Sequence, residues 1–282
     1  MIFNKQKHLS PILSSDPPPV GRRYFNLSIA VVHFFVVILS SLLGLGISSG
    51  VMAGSIVFAY TDSAPRYIVN QTQLGGICGD IYRELGQVLS ANKIDIKLVH
   101  LSLEQNVVFE NLLSGRSHVY CGVERDKYAE AAFIYSTRPV YQTSDVLVVP
   151  SDVNINPKSV DELRNSSVVI GVFQNSTSRN YLRMQYGLQL NDSYRDLSVA
   201  LKQVAEKRGA NVFFHEDIEL YHHLHQQPLP LRVLPAKFHT RDQWLIYSRK
   251  MPSGYIQKME EALLHMELEG KLAEIQCSYR CE

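Results

Sequence analysis

The sequence predicts an α/β fold made of two similar blocks, at residues 55–143 and 150–236, followed by a helical tail. Two observations support this prediction. Short apolar segments of strand length alternate with longer segments whose apolar residues recur at helical spacing, and the alternation occurs in both blocks. Because strands and helices that alternate at these lengths are typical of βαβ units, a parallel sheet is expected in each block.

The first block has helices whose ends carry clear signals. A helix is predicted from about Ile77, which shares one face with Ile81 and Leu85. A second helix, Leu103–Leu113, is expected to end at Gly115, because glycine readily adopts the left-handed conformation that terminates helices. The predicted strands of this block are Ile56–Tyr60, Ile94–His100 and Ser117–Cys121.

The second block begins with a capping box, Ser159 to Glu162, which predicts the start of a short helix. Further helices are predicted from about Ser178 and at Leu197–Lys207. The tail, Ser253–Cys277, is expected to be helical as well. The predicted strands of this part are Ser144–Val149, Val168–Phe173, Asn211–Phe214, Leu231–Leu234 and Trp244–Tyr247.

The composition argues against several classes of function. Lys and Arg together number 28 and Asp and Glu 27, so the chain offers nucleic acid no global electrostatic attraction. The sequence contains no G-x-S-x-G elbow and no glycine-rich phosphate loop. A nucleic-acid partner, a catalytic elbow and a nucleotide cofactor are therefore not expected.

The sequence predicts that the N-terminal segment, residues 1–53, is a targeting element. Basic residues precede an apolar run from Leu27 to Ile47, and Val51-Met52-Ala53 fits a small-residue cleavage site. The run is also long enough to span a bilayer, so an uncleaved anchor is the alternative to a signal peptide cleaved near Ala53. Both alternatives place the rest of the chain outside the cytoplasm, and the periplasm is the expected location.

An extracytoplasmic location would make the four cysteines candidates for disulfide bonds. Four cysteines allow three pairings, and spacing alone does not choose among them. Cys277 and Cys281 are close enough to pair locally, which would leave Cys78 for Cys121. The alternative is that all four remain free thiols.

Three segments in order carry a resemblance to a known family. They are IVFAYTDSAPRY at residues 56–67, GGICGDIYREL at residues 75–85, and residues 112–141 with a lone Arg before a Ser-x-x-Pro-x-Tyr turn. In this order they resemble the extracytoplasmic solute-binding proteins of family 3, the amino-acid type that serves ABC importers. The resemblance implies a two-lobed type II periplasmic-binding-protein fold whose chain crosses the hinge twice.

The same resemblance implies the organisation and the partners of the chain. Lobe 1 would consist of residues 54–143 and 241–282, and lobe 2 of residues 144–240 with hinge strands at its edges. The protein would be a monomer without cofactor or catalytic activity. It would close on a small polar ligand, an amino acid or related carboxylate, and deliver it to an inner-membrane ABC permease. A sensor domain and a dehydratase-like enzyme on the same fold remain the alternatives.

In the first lobe the resemblance places the ligand carboxylate on Arg125. A guanidinium presents a planar fork of donors that matches a carboxylate. Ser136, however, follows Arg125 by eleven residues, about one helical turn farther than in typical members of the family. The Arg could therefore be displaced, and Arg138 and Arg66 are the alternatives.

In the second lobe, Ser176 and Thr177 would meet the ligand at a helix N-terminus, or they could simply cap that helix. Glu216, with Asp217 beside it, falls where the family pairs an acid with the ligand ammonium, although both could be a solvated helix start. A His cluster around His222 lacks the H-E-x-x-H spacing, so no metal site is expected. The expected ligand-binding residues are Arg125, Ser176, Thr177, Glu216, Asp217, Tyr60, Tyr67 and Gly122.

Overall fold

The computed structural model describes residues 54–70, 73–101, 105–174, 176–184 and 188–280. The predicted signal peptide or anchor at residues 1–53 lies outside this part of the chain. Among the helices within these ranges, none combines the length and hydrophobicity that crossing a membrane requires.

Strands and helices alternate along the described residues. The strands are β1 (Gly54–Tyr60), β2 (Ile68–Val69), β3 (Leu74–Gly75), β4 (Ile94–His100), β5 (Val119–Val123), β6 (Ile134–Tyr135), β7 (Tyr141–Pro150), β8 (Val169–Phe173), β9 (Gln189–Tyr194), β10 (Val212–Glu216), β11 (Leu231–Val233) and β12 (His239–Tyr247). The helices are α1 (Ile77–Ala91), α2 (Gln105–Ser114), α3 (Lys127–Ala132), α4 (Val160–Arg164), α5 (Thr177–Arg183), α6 (Leu197–Ala205), α7 (Asp217–Gln226), α8 (Ser253–Leu268) and α9 (Lys271–Ser278).

Two parallel groups of strands are joined by two long antiparallel ones. The main sheet runs β4-β1-β5-β12-β7-β10-β8-β9. Strands β4, β1 and β5 are parallel, as are β10, β8 and β9. Between the two groups, β7 and β12 pair antiparallel to each other, with Asp145 opposite His239 and Tyr141 opposite Gln243. The chain therefore passes from the first group to the second along β7 and returns along β12.

Each group of strands carries its own core. The first core contains Phe58 and Leu85, and the tail helix α8 adds Met259, Leu263 and Met266 to it. The second group is covered on both faces: Val148 and Phe213 belong to one cluster, and residues such as Val172 and Phe214 to the other. Apolar alternation along β10 explains this arrangement, because successive side chains of a strand point to opposite faces.

Several elements differ from those predicted. Strand β10 continues to Glu216, because His215 and Glu216 pair with Val146 and Asp145 of β7. Strand β12 begins at His239, five residues before the predicted start, because its polar first half pairs with the crossing strand rather than with an apolar core. Strand β9 and helix α3 were not predicted from the sequence.

Helix α3 accounts for the extra residues between Arg125 and Ser136. Its N-cap, Asp126, accepts hydrogen bonds from the backbone N–H groups of Tyr128 (2.8 Å) and Ala129 (3.0 Å). Such a cap satisfies amides that have no partner within the helix. The additional turn follows Arg125 directly and sets the local course of the chain there.

The predicted disulfide between Cys78 and Cys121 is confirmed, with a Cα–Cα distance of 5.8 Å. It links the first turn of α1 to β5. Cys277 is also disulfide-bonded, while its predicted partner Cys281 lies outside the described residues.

Candidate ligand-binding cleft

A cavity of about 250 Å³ lies where the two groups of strands meet. The loop after β1 and the start of α1 supply one wall, β7 supplies the floor, and the end of β10 with the start of α7 supplies the opposite wall. Its lining residues are Ser63, Ala64, Pro65, Arg66, Ile77, Tyr141, Thr143, Glu216, Ile218 and Glu219. Of the residues that the sequence predicted to bind ligand, Glu216 lines this cavity.

The loop that carries Arg66 is held against the start of α1. The backbone carbonyls of Pro65 and Arg66 accept hydrogen bonds from the N–H groups of Ile77 and Cys78, each at 3.0 Å. These amides begin a helix and have no acceptor within it. Gly76 permits the close approach, since its φ is +86° and a Cβ there would lie 2.6 Å from the Pro65 carbonyl oxygen.

Gly122 makes room for the Arg66 side chain. Its φ is +84°, and a Cβ at this position would lie 2.6 Å from Tyr141 Oη and 2.8 Å from Arg66 Cδ. The Cys78–Cys121 disulfide joins the preceding residue to the helix that the Arg66 loop caps. Gly122 therefore contributes to the site because its missing side chain leaves space for Arg66 and Tyr141, which line the cavity.

Arg66 brings a positive charge into the cavity without a close carboxylate. Within the described parts of the chain, no Asp or Glu oxygen lies within 4.0 Å of the Arg66 guanidinium nitrogens. Burial alone would lower the pKa of Arg66, but the facing Tyr141 and Tyr120 hydroxyls and the Glu216 carboxylate outweigh it and raise the pKa. The guanidinium is therefore always charged, and its charge is only partly compensated.

Tyr141 and Thr143 offer hydroxyl groups at the floor of the same cavity. Burial raises the pKa of Tyr141 to about 12, so its hydroxyl remains protonated and can donate a hydrogen bond. Thr143 is 3% exposed, and its hydroxyl faces the Glu216 carboxylate closely enough to oppose the rise in the Glu216 pKa, although its Oγ1 makes no direct hydrogen bond within 3.5 Å among the described residues. The Thr143 hydroxyl can therefore donate either to Glu216 or to a bound molecule.

Two carboxylates face Arg66 from the second group of strands. Burial raises the pKa of Glu216, and the nearby Glu219 adds to that rise. Burial would also raise the pKa of Glu219, but a 2.6 Å hydrogen bond between its Oε2 and His215 Nε2 reverses the shift and lowers it. Glu219 is therefore charged at neutral pH, beside a Glu216 carboxylate that is 20% exposed.

Arg241 on β12 is a second buried cation near the cleft, and its charge is already compensated. Its guanidinium binds Asp145 through two nitrogens, at 2.6 Å and 3.2 Å, and its Nε lies 2.9 Å from Glu124 Oε1. A longer contact of 3.3 Å joins it to Glu216. Because these acids come from different strands, Arg241 ties β12, β7, β10 and the end of β5 together.

Arg125, the predicted carboxylate partner, lies elsewhere and has other contacts. Its guanidinium stacks 3.9 Å from the centre of the Trp244 ring and donates a hydrogen bond to the Ser136 carbonyl at 3.1 Å. Glu130 forms a long ion pair with Arg125 at 3.8 Å, and the Arg125 side chain is 42% exposed. Arg138, the first alternative, is paired with Glu267. Neither side chain lines the cavity that contains Arg66.

The remaining predicted residues of the second lobe have structural contacts. Ser176 caps α5 by accepting a hydrogen bond from the Arg179 N–H at 3.0 Å, and Thr177 begins that helix, with its side chain outside the described part. Asp217 is buried and forms an ion pair with Arg280 of the tail at 2.9 Å. It lines a separate cavity of about 420 Å³ beside α9.

The predicted tyrosines belong to an aromatic cluster of the first lobe. Tyr67 is fully buried, and its hydroxyl bonds to the Tyr82 hydroxyl at 3.0 Å and to the backbone of Cys121 at 3.1 Å. The Tyr60 ring packs against Tyr67 and against His100. Tyr67 thus holds the loop that carries Arg66 against β5.

Sequence reasoning missed Tyr141, Thr143 and Glu219 as lining residues and ranked Arg66 behind Arg125. The signal for Arg66 was present in its position, immediately after the Pro of the loop that follows the first strand. Glu219 could have been found from its spacing, since residues three apart on a helix share a face and Glu216 was already expected in the cleft.

Comparisons with known proteins identify the fold. No family model and no curated protein sequence matches the chain. The second substrate-binding domain of a putative amino acid ABC transporter from Streptococcus pneumoniae aligns at 16% identity over 80% of this chain and 99% of that one, with a TM-score of 0.67. The L-cystine solute receptor of Neisseria gonorrhoeae, in its unliganded open conformation, aligns at 19% identity over 81% and 93%, with a TM-score of 0.66.

A third structure gives the same result. Substrate-binding domain 2 of Lactococcus lactis GlnP, also in an open conformation, aligns at 15% identity over 82% of this chain and 96% of that one, with a TM-score of 0.64. These neighbours are binding proteins of the group that the sequence motifs resemble. Strands β7 and β12 carry the chain from one group of strands to the other and back. The chain therefore has the predicted α/β, two-lobed type II fold of the amino-acid-binding proteins of ABC importers.

Proposed function

We propose that this chain is an extracytoplasmic solute-binding protein that captures an amino acid or related carboxylate by closing its two lobes around it, without catalysing a reaction. The observation that carries the proposal is Arg66, which has no close carboxylate partner in the described part of the chain and faces Glu216 across a cavity bounded by both lobes. A zwitterion matches this pair of opposite charges. The fold that the chain shares with amino-acid-binding domains of transporters supports the proposal.

Ligand recognition follows from the chemistry of the lining residues. The planar guanidinium of Arg66 can donate two parallel hydrogen bonds to a carboxylate, and the Tyr141 and Thr143 hydroxyls can add to them. The ligand ammonium then lies against the carboxylate of Glu216. Because Arg66 and Glu216 belong to different lobes, a ligand held by both has more contacts in the closed form, and binding shifts the population toward closure.

Arg125 is the other candidate for the carboxylate. Its guanidinium is already stacked on Trp244 and bonded to the Ser136 carbonyl. Binding a ligand there would require these contacts to be exchanged for new ones, whereas Arg66 gains its first close anionic partner. We therefore propose Arg66 as the carboxylate-binding residue. Ser176 and Thr177 complete the site only if closure brings α5 nearer.

The proposal extends to organisation, location and partner. Lobe 1 comprises residues 54–143 and 241–282 and lobe 2 residues 144–240, and residues 1–53 direct export as a cleaved signal peptide or an anchor. Disulfide bonds persist outside the cytoplasm, in compartments such as the periplasm, which agrees with the Cys78–Cys121 bond. The closed monomer would be recognised by an ABC permease in the inner membrane. A signalling protein is the alternative partner.

A ligand screen tests this function. Purified protein beginning at Gly54 is heated with each proteinogenic amino acid in turn, with simple carboxylates, with amines that lack a carboxylate and with prephenate-like acids. We expect a subset of amino acids to raise the melting temperature, because a ligand that binds only the folded state stabilises it. The amines should have no such effect. Turnover of any acid, or no shift with any amino acid, would contradict the proposal.

A further inference from the structure

The charges that line the cavity do not balance. Arg66 supplies one positive charge, while Glu216 and Glu219 supply two negative ones. Two further basic groups lie nearby. Arg241 pairs with Asp145 and Glu124 and contacts Glu216 at 3.3 Å, and His215 Nε2 lies 2.6 Å from Glu219 Oε2. A zwitterion held between Arg66 and Glu216 would therefore leave the Glu219 carboxylate without a ligand partner.

Glu219 lies where a ligand that starts at Glu216 would continue. Glu216 is the N-cap of α7, and Glu219 follows it within the first turn. Residues three apart on a helix are neighbours on its surface, so both carboxylates belong to the same wall. His215 bonds to Oε2 of Glu219 and thereby orients the side chain. A carboxylate can accept several hydrogen bonds, so this contact leaves acceptor capacity for a ligand.

The rest of the lining suits a chain with charges at both ends. Ile77 and Ile218 are apolar, and Ala64 and Pro65 add further carbon surface beside them. The Thr143 hydroxyl, which lies beside the Glu216 carboxylate, supplies a polar contact at the floor of the cavity. Apolar walls between charged groups match the methylenes of an aliphatic side chain.

We infer that the ligand is an amino acid with a cationic side chain, such as lysine, ornithine or arginine. Its carboxylate binds Arg66, its α-ammonium binds Glu216, and its side-chain cation binds Glu219. This inference rests on the proposed function and names the class of amino acid that the site selects. An acidic amino acid would bring a further carboxylate toward Glu216 and Glu219 and is repelled.

Lysine and norleucine test the inference directly. Norleucine has the carboxylate, the α-ammonium and the aliphatic chain of lysine but lacks the terminal amine. We expect isothermal titration calorimetry to show at least about tenfold tighter binding of lysine, the usual size of one charge-assisted contact. Tighter or equal binding of norleucine would overturn the inference while leaving the solute-binding function in place. No binding of any amino acid would remove the function itself.

Variants assign the selectivity to Glu219. Glu219→Gln should lower the affinity for lysine about tenfold and leave that for norleucine within about twofold. Glu261→Gln is the matched control, because Glu261 is on α8, paired with Lys258 and half exposed. Glu219→Asp keeps the charge and should retain part of the preference. If Glu219→Gln weakens both ligands equally, Glu219 is structural and the inference is wrong; if it does not fold, Glu219→Asp and the wild-type comparison decide.

Discussion

Arg66 and Gly122 share one small volume: a Cβ on Gly122 would lie 2.8 Å from Arg66 Cδ and 2.9 Å from its Nε. The two residues are far apart in the sequence and meet because the loop after β1 folds over β5. The Cys78–Cys121 disulfide holds this contact, since it joins the helix that the loop caps to the residue beside Gly122. The position of the candidate carboxylate-binding group therefore depends on a missing side chain.

Gly122→Ala should destabilise the protein and displace Arg66. The positive φ of this residue costs an L-amino acid about 1–3 kcal/mol, and the new methyl would overlap Tyr141 Oη. Urea denaturation should show a loss of at least that size, and affinity for the ligand found by screening should fall. Gly254→Ala is the control, because a Cβ there meets nothing within 4 Å. Equal stability of the two variants would contradict this account of Gly122.

Arg66→Ala should abolish ligand binding. Without the Arg66 guanidinium, the ligand carboxylate has no charged partner in a desolvated site. The loss of binding free energy should be about 2–5 kcal/mol, or at least about thirtyfold in affinity. Arg66→Lys retains the charge without the planar fork and should be intermediate. Calorimetry at a temperature where all variants are folded measures these differences.

Arg125→Ala is the matched comparison for Arg66. Its loss removes the stacking on Trp244, which should cost about 0.5–1 kcal/mol of stability, with affinity close to that of the wild type. The opposite pattern, with binding lost in Arg125→Ala and retained in Arg66→Ala, would return the carboxylate site to Arg125.

Glu216→Gln should weaken binding while leaving the unliganded protein at least as stable at neutral pH. Because the pKa of Glu216 is raised in the folded state, its charged form opposes folding, and this penalty appears as pH rises above the ordinary value of 4.5. Neutral Gln avoids the penalty. Thermal melts at several pH values should show an advantage of the variant at neutral pH that disappears below that value. A variant that is less stable at neutral pH would show that the contact with Arg241 dominates.

Asp217→Asn should destabilise the fold by about 3 kcal/mol with little direct effect on the ligand. Asp217 and Arg280 are 3% and 11% exposed, and removing one partner leaves a buried charge uncompensated. Glu274→Gln is the control, since its exposed pair with Lys271 on α9 should contribute little to stability. Selective loss of amine-bearing ligands in Asp217→Asn, without loss of stability, would place Asp217 in the cleft after all.

The sequence by itself determined the fold class and most of its elements. Strand β4 was predicted with its observed bounds. The glycine that ends helix α2, Gly115, and the start of helix α1 were predicted from residues close to them in the sequence. Such features depend on spacing and on the conformational freedom of single residues, so they are visible locally. The pairing of Cys78 with Cys121 was one of three that the sequence allowed, and the structure selects it.

Only the tertiary structure decided which arginine lies in the cleft. Arg125 immediately precedes α3, and its guanidinium stacks on Trp244, a residue of the distant strand β12. Arg66 is placed by Gly76, Gly122 and a disulfide, none of which is adjacent to it in the sequence. Charge type is a property of the sequence, but burial and the distance to an opposite charge arise from contacts between segments far apart in the chain. Among the described residues those contacts leave Arg66 without a close carboxylate, and on that basis we propose it as the carboxylate-binding residue.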